Sequence, residues 1–129
     1  MHSGKNFLIS DISMNECIRP CLYNAYHHVD ILSEKSGIKD FYDVVGPVCE
    51  SADFVGKNVE LEVLDLEEND VLVGVFDVGA YCGSMSSNYN LRARPLEVLV
   101  RSDGELVVLA EKEDITKIFE RENGFFSVK

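Results

Sequence analysis

The stretch Leu96-Glu97-Val98-Leu99-Val100-Arg101-Ser102-Asp103-Gly104-Glu105-Leu106-Val107-Val108-Leu109-Ala110-Glu111 decides the fold class. Asp103-Gly104 tolerates the positive φ angles of a type I′ turn and lies between two runs of aliphatic and β-branched residues, so the stretch reads as a hairpin. With a two-residue loop Val100 faces Val107 and Val98 faces Leu109, which puts four apolar side chains on one face, expected to pack inward, and Glu97 and Arg101 on the other. Further out, Val71 to Val78 is apolar on both faces and predicts a buried central strand. Val59, Leu61 and Val63 alternate with Glu60 and Glu62 as a half-buried strand does, and Asn6 to Ile12 is a shorter β-type run. In Arg19 to Leu32, Pro20 suits a first helical turn and Leu22, Ala25 and Tyr26 keep helical spacing before Val29 and Ile31 alternate; the segment predicts a helical turn running into a strand. Asp114 with Ile115, Ile118 and Phe119 predicts a short helix with an acidic start, ending near Asn123-Gly124. Five or six strands and only short helices predict a mainly β fold, a small barrel or sandwich, in a single domain over residues 1–129.

The bulk composition agrees. Of 129 residues, 46% are hydrophobic and 27% charged, enough apolar content for a core, and the formal net charge is −11. The acid excess is spread along the chain, and no run of Lys or Arg supplies the cationic patch that nucleic-acid phosphates or an anionic membrane require. The apolar stretch at 71–78, broken by Asp77, falls far short of the roughly 20 residues that span a bilayer. The N-terminus lacks a signal-peptide core and a transit-peptide composition, so a reducing, cytoplasmic setting is expected. Cys17, Cys21, Cys49 and Cys82 have neither Cys-x-x-Cys spacing nor histidines at zinc-finger intervals, and predict no metal site and no disulfide framework. The adjacent His27 and His28 read as surface or strand-edge residues.

Candidate chemistry concentrates in three loops, Met14 to Tyr23, Gly46 to Phe54 and Gly79 to Asn90. Arg19 and Tyr23 are one helical turn apart and bring a guanidinium and a phenol to one side, a grip for a ligand carboxylate. Cys49 is a thiol that can serve as a general acid, or it is simply a small hydrophobe. Nucleophilic catalysis lacks a histidine paired with Cys49. Glu50 is either a solvated acid or the counter-ion of a ligand ammonium. Tyr81 follows Gly79-Ala80, where small residues allow close approach, and its ring suits either a planar ligand or the core.

The motifs Met14-Asn15 with Ile18-Arg19-Pro20 and Leu22-Tyr23, Val44-Val45-Gly46-Pro47-Val48-Cys49-Glu50-Ser51-Ala52-Asp53, and Gly79-Ala80-Tyr81 with Ser84-Met85-Ser86-Ser87-Asn88-Tyr89-Asn90 are specific enough to name a resemblance. In their order, and with the hairpin after them, the chain resembles the C-terminal part of diaminopimelate decarboxylase, a pyridoxal-phosphate enzyme of lysine biosynthesis in the alanine-racemase-like group. The resemblance covers essentially this whole chain and about the last third of the family's polypeptide. It implies that Arg19 and Tyr23 hold the distal carboxylate of a small amino-acid substrate and that Glu50 contacts its distal ammonium. Cys49 becomes the catalytic proton donor, and Tyr81 lies beside both substrate and cofactor. Cys49 and Glu50 would act from the partner subunit of a homodimer. Related ornithine and arginine decarboxylases usually carry Asp where Glu50 stands, so Glu50 favours diaminopimelate. Ile12-Ser13 replaces the family's usual Ala-Gly, and Cys21 and Cys82 stand where other small residues are common.

The family's N-terminal α/β barrel, with its Schiff-base lysine and phosphate-binding turn, has no counterpart in this sequence. None of Lys5, Lys35, Lys39, Lys57, Lys112, Lys117 or Lys129 lies in a matching motif. The resemblance therefore implies that pyridoxal phosphate is bound only in the complete enzyme, and the chain alone is expected to be inactive and to need a separate barrel polypeptide. A non-catalytic dimerisation or binding module derived from the enzyme is the competing reading. It gives no chemical reason for Arg19, Tyr23, Cys49, Glu50 and Tyr81 to stand together. On the picture favoured here, these side chains form half of a cleft whose other half is carried elsewhere.

Overall fold

In a computed structural model, residues 4–63 and 71–120 are described. The chain divides into two compact units, residues 1–86 and 87–129.

The first unit holds strands β1 (Asn6–Ile9), β2 (Val29–Ile31), β3 (Asp40–Val45), β4 (Phe54–Leu61) and β5 (Val73–Val75), with short helices α1 (Arg19–Tyr23) and α2 (Cys82–Met85). One sheet has the order β1-β3-β4, with β1 parallel to β3 and β4 antiparallel to it; β2 and β5 form a separate antiparallel pair. The core is small: Leu8, Val29, Ile31, Val44, Val55 and Leu61 come from both sheets, Cys17 from the loop before α1 and Cys82 from α2. Asp43 is also buried, held by the Lys5 ammonium at 2.5 Å and by the Asn58 N–H, which donates to it at 2.8 Å. A buried carboxylate is tolerated here because both partners favour its charge.

The second unit holds the hairpin β6 (Glu97–Val100) and β7 (Leu106–Ala110) and the helix α3 (Ile115–Ile118). Asp114 caps α3, accepting from the Thr116 N–H at 2.9 Å and the Thr116 hydroxyl at 2.7 Å.

The mainly β class with short helices is as expected, and so are the helical turn leading into β2, the hairpin and the acid-capped helix. Asn123-Gly124 lies outside the described residues. Four expectations are corrected. Among the described residues the strands form three sheets and no closed barrel. The hairpin register differs by one: Val100 pairs with Leu106, Leu99 with Val107 and Val98 with Val108. The cause is the turn. The Gly104 N–H donates to the Arg101 carbonyl, the Arg101 N–H donates to the Glu105 carbonyl, and only Gly104, at φ 87°, is left-handed. This is a three-residue loop ending in a bulge, not a two-residue type I′ turn. Most of the hairpin side chains are exposed, so no face of it is sealed inward. Finally, the 71–78 run is not a central strand. β5 spans three residues, pairs only with β2 among the described strands, and leaves Leu72 and Phe76 exposed.

Candidate active site

The first loop is closed locally by Ser13 and Glu16. The Ser13 hydroxyl and N–H both donate to the Glu16 carboxylate, at 2.6 and 2.8 Å, and the Glu16 and Cys17 N–H groups return to the Ser13 carbonyl. The Ser13 N–H bond to the Glu16 carboxylate is one half of a capping box, while the Ser13 hydroxyl accepts from the Asn15 N–H at 3.1 Å. It turns Cys17 into the core and delivers the chain to α1, where Pro20 is buried and Tyr23 is exposed. Asn24, left-handed at φ 52°, ends the helix.

The second loop is organised by Asp53. Its carboxylate is buried and accepts from the Val48 N–H at 2.6 Å and from the Met14 N–H, thirty-nine residues away, at 2.7 Å. One side chain thus shapes the 46–53 turn and ties it to the first loop. Gly46 is required by the same packing: a Cβ there would collide with both Asp53 carboxylate oxygens and stand 2.7 Å from the Ile12 carbonyl. Cys49 and Glu50 sit exposed on this turn, and the Glu50 carboxylate accepts from the Ser51 hydroxyl at 3.1 Å and the Ala52 N–H at 3.3 Å. Burial pushes the Cys21 thiol on α1 up, and the Asp53 and Glu50 carboxylates add to the effect, so both acids act electrostatically on the helix that carries Arg19.

The third loop joins the first through two contacts. The Cys17 and Cys82 sulfurs are 3.6 Å apart in the core. Outside it, the Arg19 guanidinium lies over the Tyr81 ring, 5.5 Å from the centroid, a cation-π distance. Tyr81 is 63% exposed and left-handed at φ 72°, a conformation that costs a bulky residue energy and is met mostly where the surroundings or function demand it. A Cβ at Gly79 would meet nothing within 4 Å, so no packing among the described residues requires a glycine there.

The structure therefore brings Arg19 and Tyr81 into contact, puts Tyr23 one turn from Arg19 on α1, and tethers the Cys49-Glu50 turn to the base of the same loop. A groove of about 580 Å³ lies elsewhere, lined by Tyr26, His28, Phe41, Phe54 and Lys57 and not by Arg19, Cys49, Glu50 or Tyr81. Tyr23, Cys49, Glu50 and Tyr81 are exposed, and Arg19 is half-buried. The expectation that His27 is a surface or strand-edge residue is corrected here. His27 is buried, because its Nδ1–H donates to the Phe76 carbonyl at 3.1 Å and satisfies half of the ring. Cys17, His27 and Cys82 form a buried group, their ligand atoms all within 4.8 Å of one another. Spacings along the chain carry no sign of it, since its members come from three separate segments.

Sheets and loops together define a small sheet domain that displays a cation, phenols, a thiol and a carboxylate on tied turns. The chain belongs to the pyridoxal-dependent decarboxylases, whose C-terminal sheet domain matches it over residues 1–79. A probable chloroplastic diaminopimelate decarboxylase of Oryza sativa subsp. japonica is 46% identical over 120 residues, covering 90% of this chain and 24% of the relative. Diaminopimelate decarboxylase of Aquifex aeolicus is 40% identical over 117 residues, covering 91% of this chain and 27% of the relative. The crystal structure of the Helicobacter pylori enzyme complexed with L-lysine superposes with a TM-score of 0.84 at 33% identity, over 94% of this chain and 29% of that one. The chain spans about a quarter of the length of these relatives.

The family is pyridoxal-dependent, and an exposed aromatic ring is a surface of the kind that a planar cofactor packs against. Tyr81, the residue before α2, presents an exposed ring against the Arg19 guanidinium. The described lysines of the first unit are committed elsewhere: Lys5 to Asp43, Lys35 to Asp30, Lys39 to Glu60, and Lys57 over the Phe54 ring. No helix among the described residues is long and apolar enough to cross a membrane.

Proposed function

We propose that this chain is the substrate-contacting sheet domain of a diaminopimelate decarboxylase, the enzyme that converts meso-2,6-diaminopimelate to L-lysine and carbon dioxide. The observation that carries the reading is the Arg19 guanidinium over the Tyr81 ring, at the meeting point of the motif loops. Arg19 and Tyr23 bind the distal carboxylate of the substrate by a charge-assisted hydrogen bond and a phenolic one. Glu50 binds the distal ammonium, so substrates lacking either charge leave a fixed charge unpaired and are rejected. Pyridoxal phosphate, held by the α/β barrel, supplies the electron sink that such a decarboxylation needs. The Cys49 thiol delivers its proton to the carbon that has lost carbon dioxide. Cys49 and Glu50 act across a homodimer, a role that suits their exposure on the 46–53 turn.

The test supplies the chain with a barrel polypeptide bearing the cofactor lysine and follows carbon dioxide release from meso-diaminopimelate. Release is expected, with Cys49→Ala and Glu50→Ala each lowering it at least a hundredfold and Arg19→Ala raising KM. Assembly with the barrel but no dependence on these residues would instead identify a dimerisation module derived from the enzyme.

A further inference from the structure

We propose that Cys17, Cys82 and His27 form a metal site that takes a thiophilic divalent cation of the zinc class. This goes beyond the decarboxylase reading and stands without it.

All three side chains are buried, and their ligand atoms lie within 4.8 Å of one another. The sulfurs are 3.6 Å apart, close to the separation of about 3.8 Å for two thiolates 2.3 Å from a tetrahedral zinc. The second observation is on the histidine. A carbonyl can only accept, so the contact with Phe76 makes Nδ1 the protonated ring nitrogen and leaves Nε2 with a lone pair. That Nε2 is buried and has no hydrogen-bond partner. A buried, unsatisfied ring nitrogen carries a desolvation cost with nothing to offset it. A cation bound also by the two sulfurs removes that cost. The Nδ1–H contact to a backbone carbonyl is the outer hydrogen bond that metal-bound histidines typically make. Charge selects the cation, since two thiolates and a neutral imidazole cancel a divalent ion and leave a buried site with no net charge. Soft sulfur donors disfavour magnesium and calcium.

The place of the site gives it a role. Cys17 lies two residues before Arg19 and Cys82 one residue after Tyr81, so the ion would clasp the two loops whose outer ends meet in the cation-π pair.

The experiment is a titration of the reduced, metal-free chain with cobalt(II) alone, read by absorbance. The expected result is a thiolate-to-cobalt charge-transfer band that saturates at one equivalent and is displaced by zinc. It should disappear in Cys17→Ala and Cys82→Ala, show at least tenfold weaker affinity in His27→Gln, and persist in Cys21→Ser and Cys49→Ser. Circular dichroism identifies any variant that has not folded. For the wild-type chain, zinc should also raise the thermal midpoint, a readout that needs no variant. Absence of the band and of the thermal shift, or a band that survives loss of Cys17 or His27, would overturn the proposal. So would closure of a Cys17–Cys82 disulfide under mild oxidant in a chain that binds no cobalt.

Discussion

Tyr81 is the residue at which energy and chemistry pull apart. Its left-handed backbone costs about 1–2 kcal/mol, whereas the cation-π contact with Arg19, largely exposed, returns about 0.5–1 kcal/mol. Tyr81→Gly should therefore leave the free chain as stable as before or about 1 kcal/mol more stable in urea denaturation, while decarboxylation by the barrel-complemented chain is lost. A large destabilisation would mean that the ring serves the fold. Asp43 makes a different prediction. Burial opposes its charge, but the Lys5 ammonium and the Asn58 N–H outweigh that and hold the carboxyl below its ordinary range. A folded-state value depressed below the unfolded one of about 3.9 gives stability that is present above about pH 4 and is lost as pH falls through the folded value. The stability difference between the wild type and Asp43→Asn should be full at neutral pH and shrink below about pH 4, measured as urea midpoints along a pH series. Arg19, Tyr23, Cys49, Glu50 and Tyr81 could be singled out from the sequence by the motifs they lie in, and the contact of Arg19 with Tyr81 is what the structure adds. The burial of His27 was not legible there, because its reason is a carbonyl forty-nine residues away.

At the scale of elements, the loops depend on one another more than on their own sequences. Gly46→Ala would push a methyl group against a carboxylate that two N–H donors already pin and against the Ile12 carbonyl, so neither neighbour can yield cheaply. The variant is expected to lose about 1–3 kcal/mol, seen as a lower urea midpoint with an unchanged slope. An unchanged midpoint would show that the 46–53 turn relaxes without its tether. Elements with local causes could be read in advance: Asp114 caps α3 through its own next neighbours, and Pro20 starts α1. The hairpin register could not. Asp103-Gly104 suits two turn types, and the choice between them rests on which carbonyl the Gly104 N–H finds. The 71–78 run misled for another reason, since apolar side chains on both faces describe an interior strand and a strand awaiting cover equally well.

For the molecule as a whole, the notable quantity is the apolar surface left open. Ile9 is 74% exposed and Tyr26 82%, and in the second unit Val100 is 63% and Leu106 66% exposed. Scattered apolar residues are ordinary on a monomer, but a contiguous run along a hairpin is the mark of a surface meant to be covered. The chain by itself is accordingly expected to self-associate as its concentration rises in sedimentation experiments, and the double variant Val100→Thr, Leu106→Thr should lower the association constant at least tenfold. A single monomeric species at all concentrations would contradict this. The Asp53 strut carries a consequence for anyone wishing to borrow this chemistry. A peptide copied from Gly46 to Phe54 and grafted onto a foreign scaffold would bring the thiol and its neighbouring acid without their posture, because half of what fixes them is the amide of Met14. A transplant has to take the Ser13 turn along with it, or the two reactive groups arrive as passengers.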